Sequence, residues 1–252
     1  MIRNYVALDL ETTGLNPKTD KIIEIGAIRV REGAIADSFS TFVNPGRGLA
    51  AKTKELTGIT EEDLKDAPYI EEILDDLISF IGEDYLLGHN ILFDFSFLKK
   101  AVVNQKKTFD KEGIDTLRIA RRFLTDLESR NLGFLCEHYG IELEAHRALN
   151  DAVAAHLLYE RLCQEFYEKE ADTFMPKKLI YQVKREGPIT PRQKEHLGKL
   201  ADKYHMTLMA EGILQLRDED IEIFGEQYID INKLTKNEAS RFIDRLLARY
   251  GR

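Results

Sequence analysis

No apolar run in the 252 residues approaches the roughly 20 residues that a membrane span needs. The first residues, MIRNYVALDL, run straight into a strand pattern without the layout of a secretion signal, so a cytoplasmic protein with no membrane contact is expected. Cysteine is scarce. Cys136 and Cys163 sit inside helical patterns and read as small core residues in a reducing compartment, with a structural disulfide as the lesser alternative. There is no internal repeat and no low-complexity tract. Basic charge is in deficit: 36 Lys and Arg against 44 Asp and Glu, a net charge of −8, which argues against a passive nucleic-acid coat. The deficit is uneven. Residues 177–252 carry 15 basic and 12 acidic side chains, a net +3, while residues 1–176 carry 21 and 32, a net −11. An acidic body can still handle a polyanion if some of its carboxylates hold divalent metal.

What remains is 43% hydrophobic and 32% charged, ordinary for a chain that buries a sizeable core as one large domain or one domain with a small appendage. Strand patterns at 4–10, 21–30 and 36–45, with turns at Gly33 and Asn44-Pro45-Gly46, read as an antiparallel meander. Helical spacing follows at Ile70, Ile73, Leu74, Leu77, Ile78 and Ile81, ending at Gly82. A short apolar strand precedes a helix over about 91–103, and a long helix runs over about 148–167. Meander strands followed by strand–helix units predict an α/β fold, a mixed sheet flanked by helices. Residues 169–188 are charged and weakly periodic and read as a linker between a domain at 1–168 and a small, mainly helical module at 189–252. In that module Thr190-Pro191 marks one helix start, and Thr235 with Glu238 has capping-box spacing at another.

The chemistry starts at VALDLETTGL, residues 6–15. Along a strand, residues i and i+2 share a face roughly 7 Å apart. Asp9 and Glu11 therefore point the same way, and two unpaired carboxylates on a central strand would cost several kcal/mol or so unless a base, water or metal offsets them. An edge strand with a solvated face is the bland alternative. In GHNILFDFSFL, Asp94 falls near the first turn of a helix, where a carboxylate gains from the helix dipole. His89 and Asn90 lie at the strand–helix junction, and Phe93 and Phe97 are spaced i, i+4. In AHRALND, His146 precedes Asp151 by five residues, about 140° out of phase on one helix, so the two approach one cleft only if His146 lies in the loop before it. Read singly, Asp94 could serve only as a cap and His146 only as a surface residue. Together, four carboxylates and a histidine suit two divalent ions ~3.5–4 Å apart that clamp the attacking and leaving oxygens of an in-line displacement. Hard ions such as Mg²⁺ or Mn²⁺ fit a carboxylate-only set, and a histidine can take the proton from the attacking water.

These motifs resemble a known family. DLETTGL (9–15), GHNILFD (88–94) and HRALND (146–151) look like the three exonuclease motifs of the DnaQ-like, DEDD-type 3′-to-5′ exonucleases. The H-x-A-x-x-D spacing resembles the histidine subclass, DEDDh. LTGIT (56–60) is similar to the epsilon-type proofreading exonucleases, including the version embedded in the Gram-positive replicative polymerase. The resemblance covers residues 4 to about 166. It implies an RNase H-like fold with a mixed five-stranded sheet. It also implies hydrolysis of 3′-terminal phosphodiesters of single-stranded or frayed DNA to nucleoside monophosphates. Asp9, Glu11, Asp94 and Asp151 would hold two metal ions, Mg²⁺ or Mn²⁺, and His146 would be the general base. The segment Thr12, Thr13 and Gly14 would border the terminal 3′-hydroxyl, Leu15 and Ile59 would wedge the terminal bases, and His89, Asn90 and Phe93 would shape the pocket. Core packing is the alternative for Leu15, Ile59 and Phe93.

Two other readings stand beside this one. An exoribonuclease trimming small RNA 3′ ends has the same residues. A catalytically silent module that recruits a polymerase or helicase through residues 168–252 is a different class, and the intact set of four acids and His146 weighs against it.

Overall fold

A computed structural model describes residues 1–142, 146–224 and 227–251. The meander is present as β1 (Tyr5–Thr12), β2 (Ile22–Arg31) and β3 (Ala34–Phe42), with Glu32 and Gly33 both at positive φ in the β2–β3 turn. Two short helices, α1 (Ala51–Thr57) and α2 (Glu61–Leu64), lead to α3 (Ile70–Ile81). Next come β4 (Leu86–Gly88), α4 (Ile91–Asn104), β5 (Glu112–Asp115), α5 (Thr116–Phe123), α6 (Leu132–Tyr139) and the long α7 (Ala148–Phe166). A two-residue strand, β6 (Lys177–Lys178), pairs with β5. The sheet is therefore six-stranded, in the order β3-β2-β1-β4-β5-β6, with β1, β4 and β5 parallel and the other pairings antiparallel. The five-stranded expectation missed β6 because two exposed lysines carry no strand periodicity. Residues 169–188 are accordingly not wholly a linker.

The alternation in β1 builds both layers. Val6, Leu8 and Leu10 face α3 and α4, where they meet Leu74, Leu77, Ile91, Phe95 and Leu98. Tyr5 and Ala7 face α5–α7, against Ile119, Leu135, Leu158, Tyr159 and Leu162. Asp9 and Glu11 continue this second face toward the start of α7. β4 pairs with β1 only at Val6 and Ala7, so the sheet parts beyond Ala7 and the carboxyl end of β1 is left without a partner on that side. Open α/β sheets bind ligands at such carboxyl ends.

The remaining chain is a second small unit: α8 (Pro191–Lys203), β7 (Thr207–Leu208), β8 (Ile213–Gln215), α9 (Asp218–Phe224), β9 (Tyr228–Asp230) and α10 (Lys236–Tyr250). Both anticipated capping boxes are formed, Thr190 with Gln193 and Thr235 with Glu238. The unit is mainly helical, as expected, and adds a short antiparallel sheet, β7-β8-β9, against Leu197, Leu200, Phe242 and Leu246. It is docked on the first unit. Gly48 N–H donates to the Tyr228 carbonyl at 2.8 Å, and Asp230 N–H donates to the Gly46 carbonyl at 2.7 Å. Lys21 Nζ lies 2.8 Å from the buried Glu238 carboxylate, and Arg47 lies 3.5 Å from it. Burial opposes ionisation there, but these two cations outweigh it and hold Glu238 down at about 2. No helix among the described residues is long and apolar enough to cross a membrane.

Candidate active site

The acids converge where the sheet parts. One oxygen from each of Asp9, Glu11 and Asp151 lies within 4.8 Å of the others. Asp94, buried on α4, accepts the Leu10 N–H at 3.1 Å, the backbone donor that β4 leaves unpaired. The four acids thus surround the end of β1, two from the strand itself and one each from α4 and α7.

Little positive charge compensates them. Asp9 is pushed well above the ordinary carboxylate range, by burial first and then by the charges of Asp94, Asp151, Glu11 and Glu24. Burial likewise raises Asp94, although hydrogen bonds from its own backbone and Leu10 oppose it. Glu11 is pushed up to about 7 by burial, Asp151 and Glu24, with Arg147 pulling the other way. Burial raises Asp151 too, opposed chiefly by the backbone N–H of His146. A hard divalent cation fits this donor set, which offers carboxylate oxygens only and carries like charges that ionise together at small cost once a cation lies between them.

His146 is in the loop before α7, as its phase against Asp151 requires. Its N–H donates to Asp151 Oδ2 at 3.1 Å, its backbone is left-handed at φ 65°, and its side chain is exposed. The His146 side chain is open to solvent, and its backbone ties it beside the acidic centre.

The substrate-contact expectations divide. Residues 12–15 form a tied turn: Thr12 Oγ1 donates to the Gly14 carbonyl at 2.8 Å, and Thr13 exchanges hydrogen bonds with Lys21. A Cβ on Gly14 would come 2.6 Å from Asp20 Oδ2, so the turn needs glycine or a shifted Asp20. Leu15 beyond it is 83% exposed, an apolar side chain open to solvent. Ile59 is different. It is 2% exposed and packs with Ile23, Leu49 and Leu64, so core packing takes it. Leu56, one turn earlier on α1, is 56% exposed instead, and α1 is fixed beside residue 13 by Thr53 Oγ1 donating to the Thr13 carbonyl at 3.1 Å. His89 is tied off as well, with Nδ1 at 2.9 Å from the Thr116 hydroxyl and Nε2 at 2.8 Å from the Arg130 carbonyl. Burial lowers its pKa. It holds the strand–helix junction together. Asn90 is exposed and left-handed at φ 72°, its N–H bound to Asp115 Oδ1. Phe93 is partly buried against Phe97, with centroids 5.0 Å apart.

Sequence reasoning missed Glu24, Gly26 and Leu56. Glu24 and Gly26 lie opposite Glu11 and Asp9 in the β1–β2 ladder. A lone acid and a glycine interrupting the apolar run IIEIGAI were the available signal. A Cβ on Gly26 would lie 2.1 Å from the backbone of Ala148 and Leu149, so α7 begins directly on this position. Gly26→Ala is expected to destabilise the fold by about 1–3 kcal/mol or more, because helix backbone cannot yield as a side-chain tip can. It should also carry Asp151 away from Asp9 and cut turnover. Urea unfolding and a rate measurement on the same sample check both effects.

The exonuclease family model RNase_T matches residues 6–159, more than half of the chain. The chain belongs to this exonuclease family. Among curated proteins, this exonuclease is 44% identical over 151 residues to the PolC-type DNA polymerase III of Clostridium perfringens, a match covering 60% of the chain and 10% of the polymerase. It is 40% identical over 171 residues to the Bacillus subtilis PolC-type DNA polymerase III, covering 66% and 12%. The match therefore spans only about a tenth of those polymerases. Among solved structures, Exonuclease X in complex with 5′-overhanging duplex DNA superposes with a TM-score of 0.53 at 25% identity, over 68% of this chain and 99% of that one. E. coli Exonuclease I in complex with a dT13 oligonucleotide has a TM-score of 0.59 at 19% identity, over 68% and 43%, a likeness of fold.

Proposed function

We propose that this exonuclease removes nucleoside monophosphates from the 3′ end of single-stranded or frayed DNA, with two divalent ions, Mg²⁺ or Mn²⁺, held by Asp9, Glu11, Asp94 and Asp151. The observation that carries the reading is the meeting of these four acids at the parted end of β1, with His146 at their mouth. PolC-type DNA polymerase III relatives, a tenth of whose length this chain matches, and a neighbour solved with 5′-overhanging duplex DNA support DNA and a proofreading or repair setting. A polymerase is the partner that this setting suggests, with the second unit as one surface for it.

When bound, the ions polarise the scissile phosphate and offset the charge of the displacement. The residues of this chain do the rest. Asp9, Glu11, Asp94 and Asp151 fix the ions' positions. His146 accepts a proton from the attacking water. The tied turn at 12–15 presents backbone and the exposed Leu15 to the terminal nucleotide, and Leu56 on α1 offers a second apolar contact. Such contacts grip base faces without reading sequence.

The sugar preference is tested by giving DNA and RNA oligonucleotides of one sequence, 5′-labelled, with Mg²⁺. DNA is expected to shorten stepwise and faster than RNA. Faster RNA trimming would move the reading to an exoribonuclease, whose discrimination rests on the 2′-hydroxyl.

Stability in EDTA should fall as pH rises from 6 to 8. Glu11 titrates at about 7 in the folded chain against about 4.3 unfolded, so the folded state holds the extra proton and its advantage is lost as pH rises through 7. Saturating Mg²⁺ should raise the melting temperature and flatten that slope. Thermal melts at several pH values check both. A melting temperature indifferent to Mg²⁺ would speak against metal at the acids.

A further inference from the structure

We propose that Glu24 is a positioning residue for His146, acting through Arg147 and the first turn of α7; this rests on the reading of His146 as the general base. Glu24 is only 2% exposed and lies opposite Glu11 in the sheet, yet it stands outside the cluster of Asp9, Glu11 and Asp151. Its oxygens turn away to other partners. Oε1 accepts from Arg147 Nε at 3.2 Å and Nη2 at 3.1 Å, and Oε2 accepts the Ala148 N–H at 3.2 Å. That N–H is the first of α7, one of the donors a helix leaves unsatisfied at its start, and Arg147 at the N-cap supplies no side-chain cap of its own. Glu24 supplies the cap from a neighbouring strand.

His146 precedes this clamp by one residue, in a left-handed backbone that costs a non-glycine residue of order 1–3 kcal/mol and persists only where its surroundings enforce it. Two anchors enforce it. Asp151 holds the His146 N–H on one side, and Glu24 holds Arg147 and Ala148 on the other. Arg147 is further fixed with its guanidinium 5.3 Å from the Phe42 ring centre. Gly26, two residues along the same face of β2, lets the helix start close enough for the carboxylate to reach it. A fifth carboxylate, itself buried, beside an acidic centre is costly, and a clamp on the histidine loop gives it a purpose that ligating metal does not.

The test is a double-mutant cycle on the full chain: wild type, Glu24→Gln, His146→Ala and the pair, in single turnover on 5′-labelled single-stranded DNA at saturating substrate and Mg²⁺. A glutamine has one acceptor oxygen, so it keeps at most one of the two anchors. Glu24→Gln is expected to lower the maximal rate about 10- to 100-fold, since small misplacement of a reacting group costs that much, with KM within about threefold. In the His146→Ala background the same change should cost less than about twofold, because the group that Glu24 positions is gone. Equal, multiplicative losses in both backgrounds would overturn the inference and place Glu24 in the fold or the metal site. If His146→Ala alone stays near wild type, the general-base reading itself fails, and the inference with it. Should Glu24→Gln not fold, Arg147→Met replaces it. The Arg147 side chain is 49% exposed, so the change leaves the core intact, and the same non-additivity with His146→Ala is required.

Discussion

Asp9→Asn is expected to abolish hydrolysis and, without metal, to leave a more stable protein. Asp9 stands among the charges of Asp94, Asp151, Glu11 and Glu24, and burial alone already disfavours its ionised form. Asparagine keeps the shape and removes one of the repelling charges. In EDTA the melting temperature should rise, by about 2–4 °C for each kcal/mol of relief in a chain of this size. Turnover should fall by at least about 10³-fold, roughly 4 kcal/mol of lost transition-state stabilisation, because an amide oxygen would be a poor substitute for a carboxylate in holding a hard divalent ion. The melting-temperature gain from Mg²⁺ should shrink in parallel. Parallel melts in EDTA and Mg²⁺ with a single-turnover assay give all three results. Activity within tenfold of wild type would remove Asp9 from the metal site.

His146→Ala is expected to lower the rate by about 10²–10⁴-fold, the range of a lost general base. Here stability and metal response should not move. His146 reaches the acids through its backbone N–H on Asp151, which alanine keeps, and its imidazole is exposed. A normal Mg²⁺-dependent melt with a deep loss of rate therefore separates the proton-transfer role from a structural one. The left-handed backbone adds a secondary expectation: His146→Gly, at home at φ 65°, should match the alanine variant in rate and not fall below it in stability.

The parts of the site legible in the sequence are those whose position follows from local periodicity. Asp9 and Glu11 share a strand face because side chains alternate, and His146 is in a loop because its phase on a helix with Asp151 is wrong. Asp94 was legible as an early helix residue, but its hydrogen bond to Leu10 depends on where β4 stops, which no local pattern encodes. Ile59 and Leu56 show the same limit. Both are apolar and three residues apart, and only the tertiary cluster of Ile59 with Ile23, Leu49 and Leu64 decides which is buried. Two of the second unit's helices, α8 and α10, announced themselves through caps, whereas its three strands, two or three residues each, are too short to show a period. Glu24 was hidden for a further reason: its partners, Arg147 and Ala148, lie more than 120 residues away.

The central claim, a metal-dependent exonuclease that works from the 3′ end through these acids, is tested most directly with one gel. A 5′-labelled single-stranded DNA oligonucleotide is incubated with the wild-type chain in Mg²⁺, in Mn²⁺ and in EDTA, beside Asp9→Asn in Mg²⁺. The account predicts a ladder that shortens one nucleotide at a time with either ion, and intact substrate in EDTA and with the variant. Immediate release of the labelled terminal nucleotide, cleavage in EDTA, or an equal ladder from Asp9→Asn would contradict it.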